Sequence, residues 1–229
     1  MSSATLVAEF RRLNADLTTL AQRDLASFWP TLDTSDVAVA RDALTEFSTA
    51  LVDTYGRPAA LIASTFYDDM RALSPNATGK FTAVMADPIP AEQVAATARW
   101  AVEPLVGDAP DSAAALDRMS GSVQRYVSQA GRDTISRNAR RDRNVSYARV
   151  PGYSKSGNCD FCLMLASRGA AYGSEESAKY AKDGDKYHDD CHCVPTPMWQ
   201  GDPYPEGYDP DALFEDYEAR QATAQVVTP

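Results

Sequence analysis

The chain is short of several things, and each shortage removes a class of answer. No apolar run approaches the roughly 18 residues of a membrane-spanning helix, so no membrane partner is expected. The opening stretch, MSSATLVAEFRRLNADL, carries acidic side chains and a helical period where a secretory leader has an unbroken apolar block, and a soluble protein made in the cytosol is the expectation. There is no Gly-rich phosphate-binding loop and no internal repeat. Basic residues are outnumbered, 22 Lys and Arg against 32 Asp and Glu, and the net charge of -10 argues against wholesale nucleic-acid binding. Cysteine and histidine are scarce, four and two in 229 residues, but all six fall between Cys159 and Cys193.

What is present is ordinary for a globular protein, 44% hydrophobic and able to bury a core. Leu6, Phe10, Leu13, Leu17 and Leu20 fall on one face of a first helix that Trp29-Pro30 stops. Asp33 and Thr34 suit the cap of a second, with Ala40, Leu44, Phe47, Leu51 and Tyr55 on its stripe and Gly56 at its end. Pro58 suits the first turn of a third, carrying Ile62, Phe66, Met70 and Leu73. A fourth follows Pro88-Ile89-Pro90 through Val94, Ala98, Ala101 and Leu105. Asp111 then opens what reads as the longest run, with Leu116, Met119, Val123, Tyr126 and Ala130 on one face. Short links between such helices predict an antiparallel bundle. Residues 146–150 alternate as a strand, expected to pair with the extended segment 193–197. Phe161 to Ser167 reads as a short helix that Arg168-Gly169 ends, and Asp183-Gly184-Asp185 as a turn. A Pro and Gly coil at 201–208 leads into an acidic helix from Leu213, a tail of the kind that orders on a partner. The fold class expected is mainly α: an N-terminal antiparallel helical bundle over 1–144, a small C-terminal α+β zinc-stabilised lobe over 145–200, and an acidic tail over 201–229.

The clustered residues read Cys159-x2-Cys162, a spacer, then His188-x2-Cys191-x-Cys193. Two tight clusters joined by one loop are how a tetrahedral cation collects ligands, and zinc takes four donors at about 2.0–2.3 Å. Five candidates compete for four places: Cys159 and Cys162 are the firmest, and Cys193 with either His188 or Cys191 completes the set. On a strand Cys191 and Cys193 share a face, which turns His192 away and makes it the least suited ligand. Two disulfides would use the same cysteines, but no secretory signal precedes them and neither histidine would then be explained. A catalytic zinc keeps one place open for water, whereas this shell has donors to spare. The zinc deaminase signature is absent too, since Asp189 and Asp190 follow His188. A structural Zn2+ is therefore expected, contributing on the order of 10–16 kcal/mol of apparent folding free energy to a poorly apolar lobe.

Charge is unevenly spread. Residues 117–168 hold ten basic against four acidic side chains, while 169–229 hold four against thirteen. The basic strip Arg132, Arg137, Arg140, Arg141 and Arg143 is a candidate surface for nucleic acid or a partner, with a solvated helix face as the plainer alternative.

Three stretches resemble a known family: Arg149-Val150-Pro151, then Gly157-Asn158-Cys159-Asp160-Phe161-Cys162-Leu163-Met164-Leu165-Ala166-Ser167-Arg168-Gly169-Ala170, then Tyr187-His188-Asp189-Asp190-Cys191-His192-Cys193-Val194-Pro195. Together they look like the C-terminal region of minor head proteins of tailed phages infecting actinobacteria, which are similar to the phage Mu protein F-like family. The resemblance is specific over about residues 145–197. It implies a virion component in few copies, at the portal vertex or capsid interior, with a part in head assembly, genome packaging or delivery. It also implies portal and other head proteins as partners, with packaged DNA as a further one, and synthesis in the host cytoplasm. Cys159, Cys162, His188, Cys191 and Cys193 match the family's metal-type positions one by one. His192 stands where the family more often has Arg. No enzymatic activity follows from the resemblance. The competing readings are a zinc-containing nucleic-acid module using the Arg132 to Arg143 strip, and a zinc hydrolase or transferase with Asp189, Asp190 or His192 as base.

Overall fold

A computed structural model describes residues 1–152, 158–173 and 191–227. Three long helices dominate: α1 (Ser3–Phe28), α2 (Val37–Leu73) and α4 (Ser112–Ala139), with a shorter α3 (Ala91–Ala101) against α2 and α4. Each long helix opens on a side chain that accepts from the first turn: Ser2 from the Thr5 N–H, Asp36 from Ala38 and Val39, Asp111 from Ala114. Their directions follow from which residues meet. Phe10 stacks on Phe66 and Phe28 on Phe47, so α1 and α2 are antiparallel. Gln22 bonds Ser120 and the Trp29 indole donates to Ser112, so α1 is also antiparallel to α4. The expected mainly helical class and helical bundle are what the chain forms.

Two helix boundaries differ from expectation. The second and third helices are one, and at 37 residues α2, not α4, is the longest among the described residues. Pro58 lies inside it and forfeits one N–H bond to the carbonyl four residues back. The stripe on either side of the proline, Leu51 and Val52 before and Ala59, Ala60 and Ala63 after, is buried without interruption, so tertiary packing outweighs the local break. Gly56 does not terminate the helix but faces α4. The fourth helix ends early, at Ala101, and Leu105 is reached through a 3-10 turn, Glu103–Leu105, containing Pro104.

The α2 and α4 helices approach through small residues. A Cβ built on Gly131 would lie 3.3 Å from the Ala59 carbonyl oxygen and 3.3 Å from Asn14 Oδ1, whereas one on Gly56 would make an ordinary 3.5 Å contact with the Ala130 Cβ. Gly131→Val is therefore expected to destabilise the protein by about 1–3 kcal/mol, as overpacking does. Gly56→Ala should instead be neutral or stabilising by about 0.5–1 kcal/mol from helix propensity. Urea unfolding of the two variants checks the contrast, and equal effects would mean that the crossing is looser than described.

The C-terminal part begins with β1 (Val145–Val150), which pairs antiparallel with β2 (Val194–Trp199) in the register Val145 to Trp199 through Val150 to Val194. The strand pairing expected from sequence is thus formed. On the other side of β1, Tyr147 and Tyr172 exchange backbone bonds of 2.7 and 3.1 Å. Helix α5 (Asp160–Ala166) follows Cys159, and α6 (Pro210–Val227) ends the described chain. The tail expected to order on a partner lies against its own fold: Tyr208 is buried and donates to the Ala166 carbonyl at 2.6 Å, and Arg220 donates to the Asn158 carbonyl at 2.9 Å. One hydrophobic cluster joins the sheet to the helices, with Phe10, Phe66, Tyr67, Met70 and Ile135 packed among Val145, Tyr147, Leu165, Met198 and Trp199. The expected turn at 183–185 lies outside the described residues.

Candidate metal centre

The centre is built from two short segments whose local structure aims their sulfurs. Cys159 caps α5, its Sγ accepting from the Cys162 N–H at 3.3 Å, and this turn sets Cys162 in the first turn of the helix. Cys191 and Cys193 stand just before β2, and the alternation along the chain buries both while His192 between them is exposed. Their shared face continues through Pro195, which the register places opposite Arg149. The pairing of β1 with β2 thereby puts the Arg149 guanidinium on the face that the two sulfurs share.

Cys162, Cys191 and Cys193 are each at most 4% exposed, and their sulfurs lie within 4.8 Å of one another. Cys162 Sγ and Cys191 Sγ are 3.8 Å apart. Four sulfurs at about 2.3 Å from a tetrahedral cation stand about 3.8 Å from one another, so this edge already has the length the metal would impose. Cys159 is exposed and outside the group of three. His188 lies outside the described residues, as do Asp189 and Asp190. Of the five candidate ligands the structure thus brings three together, with Cys159 held next to Cys162 by the turn they share.

Positive charge surrounds the sulfurs from within the protein. Arg149 is fully buried, and its Nη2 lies 3.8 Å from Cys191 Sγ. Arg132 on α4 is 5% exposed and donates through Nη2 to the Cys191 carbonyl at 2.6 Å and the Cys193 carbonyl at 3.4 Å. Gln124, two turns earlier on α4, reaches the Cys191 carbonyl at 3.4 Å, and Arg11 on α1 donates to the Pro151 carbonyl at 2.8 Å. Gly152 passes so close that an added Cβ would sit 2.7 Å from the His192 Cβ and 2.8 Å from its carbonyl oxygen. The site is locked between β1, α1 and α4.

The three thiols are driven apart in acidity. Cys191 is pulled far below the usual thiol value by hydrogen bonds from Cys162 and then Cys193, with the Arg132 charge assisting against burial. Cys162 is pushed up because it donates to Cys191 and Cys193 while buried. Cys193 is favoured as a thiolate by the bond from Cys162, but its bond to Cys191 and its burial outweigh that and push it up to about 11. A divalent cation would take the place of thiol protons: with four thiolates it would sum to -2, balancing the two buried guanidiniums, and with three to -1. The residues present fit a soft divalent cation. Such an ion would be held by Cys162, Cys191 and Cys193 and would serve as a cross-link between α5 and the start of β2.

One arginine of the basic strip, Arg132, is interior. Arg132 is spent inside, on the cysteine segment; Arg137 pairs with Asp87 at 2.9 Å; Arg140 bonds Ser136; Arg141 bonds Asn138 at 3.0 Å and covers the Phe81 ring. Arg143 is exposed. Sequence reasoning placed Arg132 in that strip and missed Arg149, Gln124 and Gly152. The signal available for Arg149 was its parity on β1; the others depend on how α4 and the segment after β1 meet the cysteines.

A family model described as VG15 protein matches residues 1–220 of the chain. No curated protein and no solved structure matches it. Among the described residues no helix is long and apolar enough to cross a membrane.

Proposed function

Because the chain belongs to the VG15 protein family, a viral family, we propose that it is a minor head protein of a tailed phage, of the Mu protein F-like kind. In this reading it is a structural component at the portal vertex or capsid interior that contributes to head assembly and to genome packaging or delivery. Its partners are the portal and other head proteins, and it acts without a catalytic role. The observation that carries the reading is the family match over 1–220, which includes the Cys159 to Cys193 motif on which the resemblance to minor head proteins rests. The buried three-sulfur cluster supports a structural rather than a reactive metal. Its three sulfurs are buried, with the Arg149 guanidinium beside Cys191 and Arg132 on the backbone of the same segment, while Cys159 and His192 are exposed. Zinc is the cation best suited to such a thiolate set in a site with no redox task.

The nucleic-acid reading is the second choice, since one of its five arginines, Arg132, is interior and bonded to the cysteine segment. Quantitative mass spectrometry of purified particles tests the proposal. The protein is expected in mature virions at a small fraction of the major capsid protein's copy number, and asymmetric reconstruction should place it at the portal vertex. Absence from particles, or abundance equal to that of the major capsid protein, overturns the assignment.

A further inference from the structure

A second built feature shares no residue with the cysteine cluster. One face of α2, stepping through Thr45, Thr49, Val52, Gly56 and Ala60 at intervals of three and four, forms one side and the floor of a trough of about 1020 Å³. The other side is the extended strap that precedes α3, with Met85 and Ile89 on its lip. The lining runs from Asp42 to Ala60, five turns of helix or about 27 Å at 1.5 Å per residue. The floor is wide because Gly56, Ala60 and Ala130 are small.

The strap has no regular secondary structure, yet its backbone is satisfied by side chains of the core. Asn138, fully buried, donates to the Val84 carbonyl at 2.7 Å and accepts from the Val84 N–H at 3.0 Å. Thr134 accepts from the Ala86 N–H at 3.0 Å, and Asp68 from the Ala83 N–H at 2.9 Å. Bonds to α4 at Val84 and Ala86, and to the C-terminal part of α2 at Ala83, fix the strap in place, so the trough is formed before anything enters it. That lowers the cost of binding.

We propose that this trough is a docking site for an amphipathic helix of a partner protein, apolar along the face it inserts and basic at its edges. Length favours a helix over a compact small molecule, because five turns of α2 line the trough and an inserted helix meets them with its own i, i+3, i+7 stripe. Charge favours the basic edges. Asp42, Glu46, Asp53 and Asp87 stand on the rim against Arg57, and the Asp42 and Asp87 carboxylates are 72% and 89% exposed even with Arg41 and Arg137 beside them. Exposed pairs of that kind are weak and exchange readily for an incoming Lys or Arg. A second copy of this chain does not suit the site: its terminal helix is acidic, and its basic helix, α4, is buried against α1 and α2.

Fluorescence anisotropy on the full chain tests this, with a labelled helical peptide of leucine and lysine about 18 residues long, matched to the trough at 1.5 Å per residue. The expected dissociation constant is on the order of 10 µM or tighter, rising several-fold as salt is raised and the rim is screened. Ala50→Trp, at an exposed position on the α2 wall, should weaken binding by about tenfold or more by filling the trough, and Glu46→Lys by about three- to tenfold. The leucine and glutamate counterpart should bind far more weakly. Three results overturn the proposal: no saturation by the lysine peptide, binding indifferent to Ala50→Trp, or equal binding of the two peptides. A small apolar dye that fills the trough and is not displaced by the peptide makes it a small-molecule pocket, which also overturns it.

Discussion

Replacing Arg132 with Met is expected to lower the stability of the protein by about 2–4 kcal/mol and to weaken its hold on zinc by about 10–100-fold. The side chain is interior, and its Nη2 ties two carbonyls of the Cys191 to Cys193 segment to α4. Methionine fills much of the volume but leaves those carbonyls short of a donor and removes a positive charge from beside the sulfurs. Arg132→Lys keeps the charge without the planar fork and should fall between the two. Arg137→Ala, which breaks the exposed pair with Asp87 and a 3.4 Å bond to the Met85 carbonyl, is expected to change stability by less than about 1 kcal/mol. Chelator competition for zinc and urea unfolding measure the two effects. Indistinguishable Arg132 and Arg137 variants would mean that the buried contact does not brace the site.

Removing a sulfur should have the larger effect. The protein is expected to bind about one zinc per chain, and Cys162→Ser, Cys191→Ser or Cys193→Ser to bind less than about a tenth of that, since each leaves a soft cation short of its donor set. Cys159→Ser and His188→Ala distinguish the fourth place: the one that loses zinc as the other three do supplies it. Stripping the metal should leave most of the helical circular dichroism, because α1, α2 and α4 bury their own stripes. It should also lower the melting temperature of the whole, because Phe10, Phe66, Tyr67 and Met70 share a cluster with the sheet beside the site. Protease digestion should then begin between 145 and 200. Full zinc retention in all three serine variants would remove the cysteine centre from the account.

Much of this was legible in the chain itself. Helical periodicity needs only local spacing, and Leu6 with Phe10, or Met119 with Val123 and Tyr126, buries as its stripe requires. The Cys-x2-Cys and Cys-x-Cys spacings likewise carried their geometry with them, because a turn at a helix start and the parity of an extended segment are local properties. The alternation that buries Cys191 and Cys193 and exposes His192 is such a case.

Tertiary structure decided what depends on neighbours far along the chain. Gly56 and Pro58 read locally as a helix end and a helix start, yet α2 runs through both, because a continuous buried stripe against α4 outweighs one lost hydrogen bond. Arg132 read as one of a row of surface cations. Burial turned it into the clamp on the cysteine segment, since helix phase decides which arginine of a strip faces inward and only the position of that segment supplies the carbonyls it needs. The acidic tail read as a segment that orders on a partner, whereas Tyr208 and Arg220 find contacts within the chain, at either end of α5. Composition and spacing determined the helices and the clustering of thiols. The packing of α4 against the cysteine segment determined which charged side chains became part of the site, because long-range proximity, not residue type, sets the cost of burying a charge.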